Sequence, residues 1–366
     1  DTVSGIGMLT TDAGGTTTIT AGTVGATTVT LNDNITLGST LAITATTVSF
    51  NGNITGGGND LTINATTTAL GNTFADTVSG IGTLTTDAAG TTTITAGAVS
   101  GVTLLFQDNV TLGASTELTG STSVTFNGNI TGGGNNLTVN SPTSTFGNAS
   151  SDTISGVGTL LTDAAGTTTI NSGSVSATTV TLNDNMTLGS DVVITATTAT
   201  FNGNITGGGN DLTINATTTT FGDAPADSIS GVDTLTTNAA GTTTINAATV
   251  SASSIDFNDT VILTTNVTLT ATNLDLADVE GPGGLTADVS GTTILGGDLG
   301  STTSPLAFLD IVSGGPISFA NEVNTAGTVT LTTAGNFTFA VTGTMTSGGA
   351  VTVNGDQTDP GVNDPD

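Results

Sequence analysis

Apolar and polar residues alternate over short stretches along most of this chain. Leu61-Thr62-Ile63-Asn64-Ala65 and Val193-Ile194-Thr195-Ala196 follow the period of two, wholly or in part, that half-buried strands require. Turn clusters separate such stretches: Asn51-Gly52-Asn53, Gly56-Gly57-Gly58-Asn59-Asp60 and Asn183-Asp184-Asn185. No segment carries a 3.6-residue apolar period with caps, so helix is not expected. Large apolar residues recur at one spacing. Phe106, Phe126 and Phe146 are 20 apart, as are Phe201 and Phe221, and Leu182 precedes Phe201 by 19. A like residue every 20 or so positions suits one turn of a parallel β-solenoid (β-helix), with each Phe, Ile or Leu above its counterpart one turn below. About 15–19 coils are expected from the length of the chain. A stack of hairpins is the rival, but neither two-residue hairpin turns nor a blade-length period recurs.

A longer repeat contains this rhythm. Asp1-Thr2-Val3-Ser4-Gly5-Ile6-Gly7 returns at Asp76-Thr77-Val78-Ser79-Gly80-Ile81-Gly82 and at Asp152-Thr153-Ile154-Ser155-Gly156-Val157-Gly158, then degenerately at Asp227-Ser228-Ile229-Ser230-Gly231-Val232-Asp233. Repeats of this length stack as like modules. The chain is therefore divided into 1–75, 76–151, 152–226 and 227–300, a divergent continuation of the coil over 301–355, and an acidic, Pro-containing tail over 356–366 that reads as linker. Three or four coils per module both fit. The segment around Ala164-Ala165-Gly166-Thr167-Thr168-Thr169-Ile170 is where the count is ambiguous.

Composition narrows the function. Among 366 residues there is no Lys, Arg, His, Cys, Trp or Tyr, while 29 acidic residues leave a net charge of −29. Without cationic side chains the chain cannot neutralise phosphates, which argues against nucleic acid and anionic membranes as partners. Imidazole, thiol and Schiff-base catalysis and Cys/His zinc sites are chemically closed to it. Low charge density and many β-branched residues do not describe a disordered chain. No apolar run reaches the roughly 18 residues a membrane helix needs, so no membrane insertion is expected, and no signal peptide is visible.

Three phrases of the second module carry a family resemblance: Leu84-Thr85-Thr86-Asp87-Ala88-Ala89-Gly90-Thr91-Thr92-Thr93-Ile94, Val110-Thr111-Leu112-Gly113-Ala114 and Val124-Thr125-Phe126-Asn127-Gly128-Asn129-Ile130. The chain resembles the repeats of large haemagglutinin-like exoproteins, the filamentous-haemagglutinin-like β-helical adhesins of bacteria. The resemblance runs through residues 1–300 and weakens beyond. It implies a right-handed parallel β-helix, export to the cell surface or beyond, and a structural or adhesive role.

Four motifs bear on chemistry. Gly56-Gly57-Gly58-Asn59-Asp60-Leu61 and Gly207-Gly208-Gly209-Asn210-Asp211-Leu212 half resemble a calcium-binding nonapeptide turn, which makes Asp60, Asp211 and, in the second module, Asn136 candidate metal ligands and Ca²⁺ the one candidate cofactor. Against this, the apolar residue follows Asp directly, the motif returns only once per module, and Asn136 replaces an Asp, so a coil corner that uses glycine is the plainer reading. Asn-rich corners such as Asn32-Asp33-Asn34 and Asn202-Gly203-Asn204 are expected to form amide ladders between coils. Thr runs such as Thr16-Thr17-Thr18 could form hydroxyl arrays of the kind ice-binding solenoids use, but they fall in more than one register of the coil. A carboxylate pair is the only route to an enzyme. Asp12, Asp87 and Asp163, with Asn238 in the fourth module, repeat as turn residues, and Glu117, Glu280 and Glu322 are scattered. No catalysis is expected.

The reading is an extracellular structural protein, a β-helical rod or fibre of a bacterial surface, adhesin or matrix. Its expected partners are other copies of itself stacked end to end, and polysaccharide or matrix. The alternatives are a carbohydrate- or ice-binding solenoid and a calcium-stabilised adhesin stalk.

Overall fold

In the computed structural model, residues 1–339 and 344–355 are described. They are all β, with no helix, and wind as a parallel β-solenoid of about 17 turns. That count lies within the range expected from the 20-residue rhythm. Among the described residues no helix is long and apolar enough to cross a membrane. The tail 356–366 lies outside the described residues. The chain forms two compact units, Asp1–Gly203 and Asn204–Asp366, each taken below by itself.

The first unit is a three-sided coil. Its first module holds seven strands: Thr2–Thr10, Thr16–Ile19, Thr23–Leu31, Asn34–Leu37, Leu41–Phe50, Ile54–Thr55 and Leu61–Leu70. The four long strands each turn a corner and so serve two faces. The bend in the first strand of a module is made by a glycine in the left-handed region, Gly5 at φ 74° and Gly80 and Gly156 at φ 62°. Eleven straight segments per module result. Eleven segments on three sides make three and two-thirds turns, so the module is neither three coils nor four.

The pairing register shows the consequence. Residues 2–3 stand on the first face, in line with 23–24, 42–43, 62–63 and 85. Their counterparts 77–79 do not continue that line. They stack on Ile54–Thr55, above 35–36 and 17–18, on the third face. The next counterparts, 153–155, stack on Ile130–Thr131, above 110–111 and 92–93, on the second face. Equivalent surfaces of successive modules therefore face three different directions.

Inside each turn every second residue points inward, and Val, Ile, Leu and Phe fill a core of fully buried side chains. Expected ladders are present. Phe106, Phe126 and Phe146 stack with ring centroids 5.3 and 5.5 Å apart and planes within 14° and 7° of parallel. Leu182 pairs with Phe201. Amide ladders also form, as Asn51 donates through Nδ2 to Asn32 Oδ1 (2.8 Å) and Asn202 to Asn183 Oδ1 (2.7 Å).

The second unit continues in the same manner. Thr249–Phe257 carries Val267–Ala271 and Asn273–Leu276, and Leu285–Val289 carries Leu309–Ser313, then Val329–Thr333, then Val351–Gly355, all in parallel. The described part of 301–355 winds as coil, although its sequence has lost the module pattern.

Candidate functional site

Sequence reasoning passed over the most regular polar feature of the coil. Asp33, Asp108, Asp184 and Asp259 are module equivalents, 2–4% exposed, at the corner after the third strand of each module. Each carboxylate is held by two threonine hydroxyls from the turn below. Thr86 and Thr92 donate to Asp108 at 2.6 and 2.8 Å, Thr162 and Thr168 to Asp184 at 2.7 and 2.8 Å, and Thr11 and Thr17 to Asp33 at 2.5 and 2.6 Å. Thr237 and Thr243 hold Asp259 in the same way. The first threonine of each pair also accepts a backbone N–H in three modules: Asn32 to Thr11, Gln107 to Thr86, Asn183 to Thr162. A corner that would otherwise bury an unpaired donor is thereby closed. The signal was in the repeat: Thr, six residues on Thr, sixteen further on Asp, kept in all four modules.

No cation answers these charges. Burial pushes the Asp108 and Asp184 carboxyls above their ordinary value, against the threonine hydrogen bonds, and the neighbouring carboxylates Asp87 and Asp163 push the same way. At Asp33 burial also raises the group, but the hydrogen bonds from Thr11, Thr17 and its own backbone together outweigh it and leave it below the ordinary value.

The candidate metal ligands sit elsewhere. Asp60 Oδ1 accepts the backbone N–H of Thr83 (2.7 Å), Asn136 Oδ1 that of Thr159 (2.8 Å), and Asp211 Oδ1 that of Thr234 (2.9 Å). Carboxylate and amide do the same work, which is why Asn can stand at 136. The glycines ahead of them take left-handed dihedrals, Gly57 at φ 59° and Gly58 at φ 83°. Among the described residues no group of three or more His, Cys, Asp or Glu comes together. The turn residues are also placed as expected: Asp163 Oδ1 accepts the Ser141 N–H and Asn238 Oδ1 that of Ala216.

Threonine forms registered columns on the outside. Thr62 stands in line with Thr85, Leu105, Thr125, Thr145 and Thr169 on one face, and Thr93 with Thr111 and Thr131 on the next. Some hydroxyls bond along the column, as Thr67 to Thr47 at 3.2 Å. Columns occur on more than one face even within the second module, with Thr85, Thr125 and Thr145 on one face and Thr93, Thr111 and Thr131 on the next.

Shallow grooves recur at the strand bends. One of about 550 Å³ in the first unit is lined by Gly156, Val157, Ser176, Ala177, Thr195 and Ala196 among others. One of about 430 Å³ in the second unit is lined by the equivalent Gly231, Val232, Ser251, Ala252, Thr270 and Ala271. A third, of about 300 Å³, departs from the repeat: Asp256 and Asp275 are register partners there, beside Thr234, Ser254, Asn273 and Ile294. Burial and the facing Asp256 raise the Asp275 carboxyl.

No family model, curated protein or solved structure matches the chain.

Proposed function

We propose that this chain is a structural β-solenoid of a bacterial surface or extracellular matrix, a stiff spacer without catalysis. The observation that carries the reading is the junction between modules. Ile54 under Val78, Leu61 under Leu84 and Thr67 under Thr91 return as Ile130 under Ile154, Leu137 under Leu160 and Thr143 under Thr167. Every module offers its successor the same seat, so modules add without altering any contact, as a length-setting element requires. The resemblance to filamentous-haemagglutinin-like repeats supports export and a surface role. Carboxylates Asp256 and Asp275 do not favour an enzyme: they stack on adjacent turns of one face, where glycosidase pairs flank a bond from two sides, and the groove has no aromatic platform.

The test is an insertion. A second copy of residues 76–151 placed after residue 151 is expected to fold and to lengthen the particle in electron micrographs by about 18 Å, three and two-thirds turns at roughly 4.8 Å each. Loss of cooperative unfolding in that variant would overturn the reading.

The threonine columns favour a second reading, a binder of carbohydrate or ice. A dedicated binder concentrates its array on one face, whereas here a single module carries threonine columns on two faces. Retention on polysaccharide columns or a thermal-hysteresis signal would favour this alternative. Copies are further proposed to pair end to end. Val3, Met8, Val351 and Val353 are among the chain's exposed large apolar side chains, and parallel strands pair readily with further strands. Sedimentation at micromolar concentration is expected to show elongated oligomers, and a single 35.3 kDa species would count against pairing.

A further inference from the structure

Three corners of the coil hold the pair Asn-Gly, one in each of the first three modules: Asn51-Gly52, Asn127-Gly128 and Asn202-Gly203. Asn before Gly is prone to cyclise, because no Cβ shields the nitrogen of the second residue. The three corners are closely matched. Each Asn is half-buried, follows a buried Phe and donates its backbone N–H to the turn below: Asn51 to Leu31 O (2.7 Å), Asn127 to Phe106 O (2.8 Å) and Asn202 to Leu182 O (2.9 Å). A fourth pair, Asn354-Gly355, ends the strand Val351–Gly355 and is not at such a corner.

The side-chain amides are not matched. Asn51 Nδ2 donates to Asn32 Oδ1 and Asn202 Nδ2 to Asn183 Oδ1. Those lower amides are in turn tied to Thr11 O at 2.8 Å and Thr162 O at 2.7 Å. Below Asn127 the chain has Gln107 instead, since Phe106 and Phe126 are register partners. Among the described residues the Asn127 amide has no hydrogen-bond partner, and the Gly128 N–H donates to none.

We propose that Asn127 is a site of spontaneous deamidation, selected by the missing rung beneath it. The Gly128 nitrogen, its proton taken by solvent hydroxide, attacks Asn127 Cγ. A C–N bond forms, the Cγ–Nδ2 bond breaks, and Nδ2 leaves as ammonia with a proton from water, giving a succinimide. Water then opens the ring at either carbonyl, to aspartate or isoaspartate. One water is taken up and one ammonia released, with no change of oxidation state. At Asn51 and Asn202 a ladder bond must break before Cγ can turn towards the Gly nitrogen, which slows the same step by about fivefold. The product bears on the coil. A further carboxylate joins a chain that has no cationic side chain to offset it. Isoaspartate also adds a methylene to the main chain at a tight corner, where a Cβ on Gly128 would already lie 2.9 Å from Asn109 Oδ1 and from the Asp108 carbonyl oxygen of the turn below.

Ageing of the folded full chain in mildly alkaline buffer tests this, with peptide mapping by mass spectrometry after pepsin digestion in acid, where deamidation stalls. Asn127 is expected to convert about fivefold faster than Asn51 and Asn202, while in denaturant the three convert alike. Equal rates at the three folded corners would overturn the assignment, as would an Asn127 that stays intact while the denatured chain converts. Gln107→Asn supplies the missing rung in the form the first and third modules already use. It is expected to slow Asn127 to the rate of Asn51, and an unchanged rate would show that the ladder does not select the site. Should that variant fail to fold, Asn32→Gln puts the same question to Asn51, which is then expected to convert about fivefold faster than in the parent.

Discussion

At Thr68, Ser144 and Thr219 the coil buries a hydroxyl without a partner, at equivalent places in three modules. Val48 occupies the position below Thr68 in the same stack, so a branched apolar side chain already fits that column. Thr68→Val is therefore expected to stabilise the protein at neutral pH by about 1–2 kcal/mol, because an unsatisfied buried group is exchanged for an isosteric apolar one. Chemical denaturation checks it, and a loss of stability would mean that the hydroxyl has a partner at neutral pH. Asp108→Asn keeps an acceptor for Thr86 and offers Thr92 a donor. Its folded form has no charge to desolvate, so it is expected to be at least as stable as the parent at pH 7. It should also lose part of the parent's gain on acidification, which melting curves at pH 7 and 5 would show. Little of this was legible in the sequence. Asn32-Asp33-Asn34 reads as an Asn corner, and its amide ladder is real, but which residue of a turn cluster points inward depends on the corner geometry. A one-residue change of phase exchanges a solvated Asp for a buried one.

Strands and their stacking were legible because they depend on local rules. Period two gives the inward face, and a Phe at 106, 126 and 146 can ladder only if each turn takes about 20 residues. That ladder is a sensitive probe of the element. Phe126 is buried between two stacked rings, and Phe126→Ala is expected to cost about 3–5 kcal/mol, read as a lowered denaturation midpoint. The corner glycines are constrained differently. A Cβ on Gly52 would lie 2.7 Å from the Asp33 carbonyl oxygen of the turn below, so Gly52→Ala must push two turns apart. What the sequence did not disclose is the number of turns per module. Seven strands are visible as patterns, but that four of them bend, at Gly5 and its counterparts among other corners, is a property of the closed coil. Without those bends the segments number seven, and the fractional turn that rotates each module is lost.

For the molecule as a whole, the charge of −29 without one cationic side chain decides the response to solvent. Carboxylates repel across the coil, and Asp256 and Asp275 are stacked in register. Added salt is expected to raise the melting temperature by screening. A rise with Ca²⁺ beyond that at matched ionic strength would point to the corners at Asp60, Asn136 and Asp211. Acid is the more telling variable. Acid unfolds many proteins by protonating carboxylates that are paired or hydrogen-bonded in the native state, and it leaves their lysines and arginines charged. Here acidification discharges the chain and leaves no cationic side chain behind. The sign for individual groups agrees in the main. Asp108, Asp184 and Asp275 hold protons more tightly folded than unfolded, so stability falls as pH rises from about 3.8 through their raised values, and is regained as pH falls. Asp33 acts oppositely, since its depressed value gives a contribution that is lost as pH drops below about 3.8. One such group against three, together with the relief of repulsion, leaves the balance on the side of folding. The protein is expected to keep its β circular dichroism at pH 2, to melt higher at pH 4 than at pH 7, and to lose solubility as its charge vanishes. Cooperative unfolding between pH 4 and pH 2 would refute this, and would mean that ionised carboxylates hold the coil together more than they strain it.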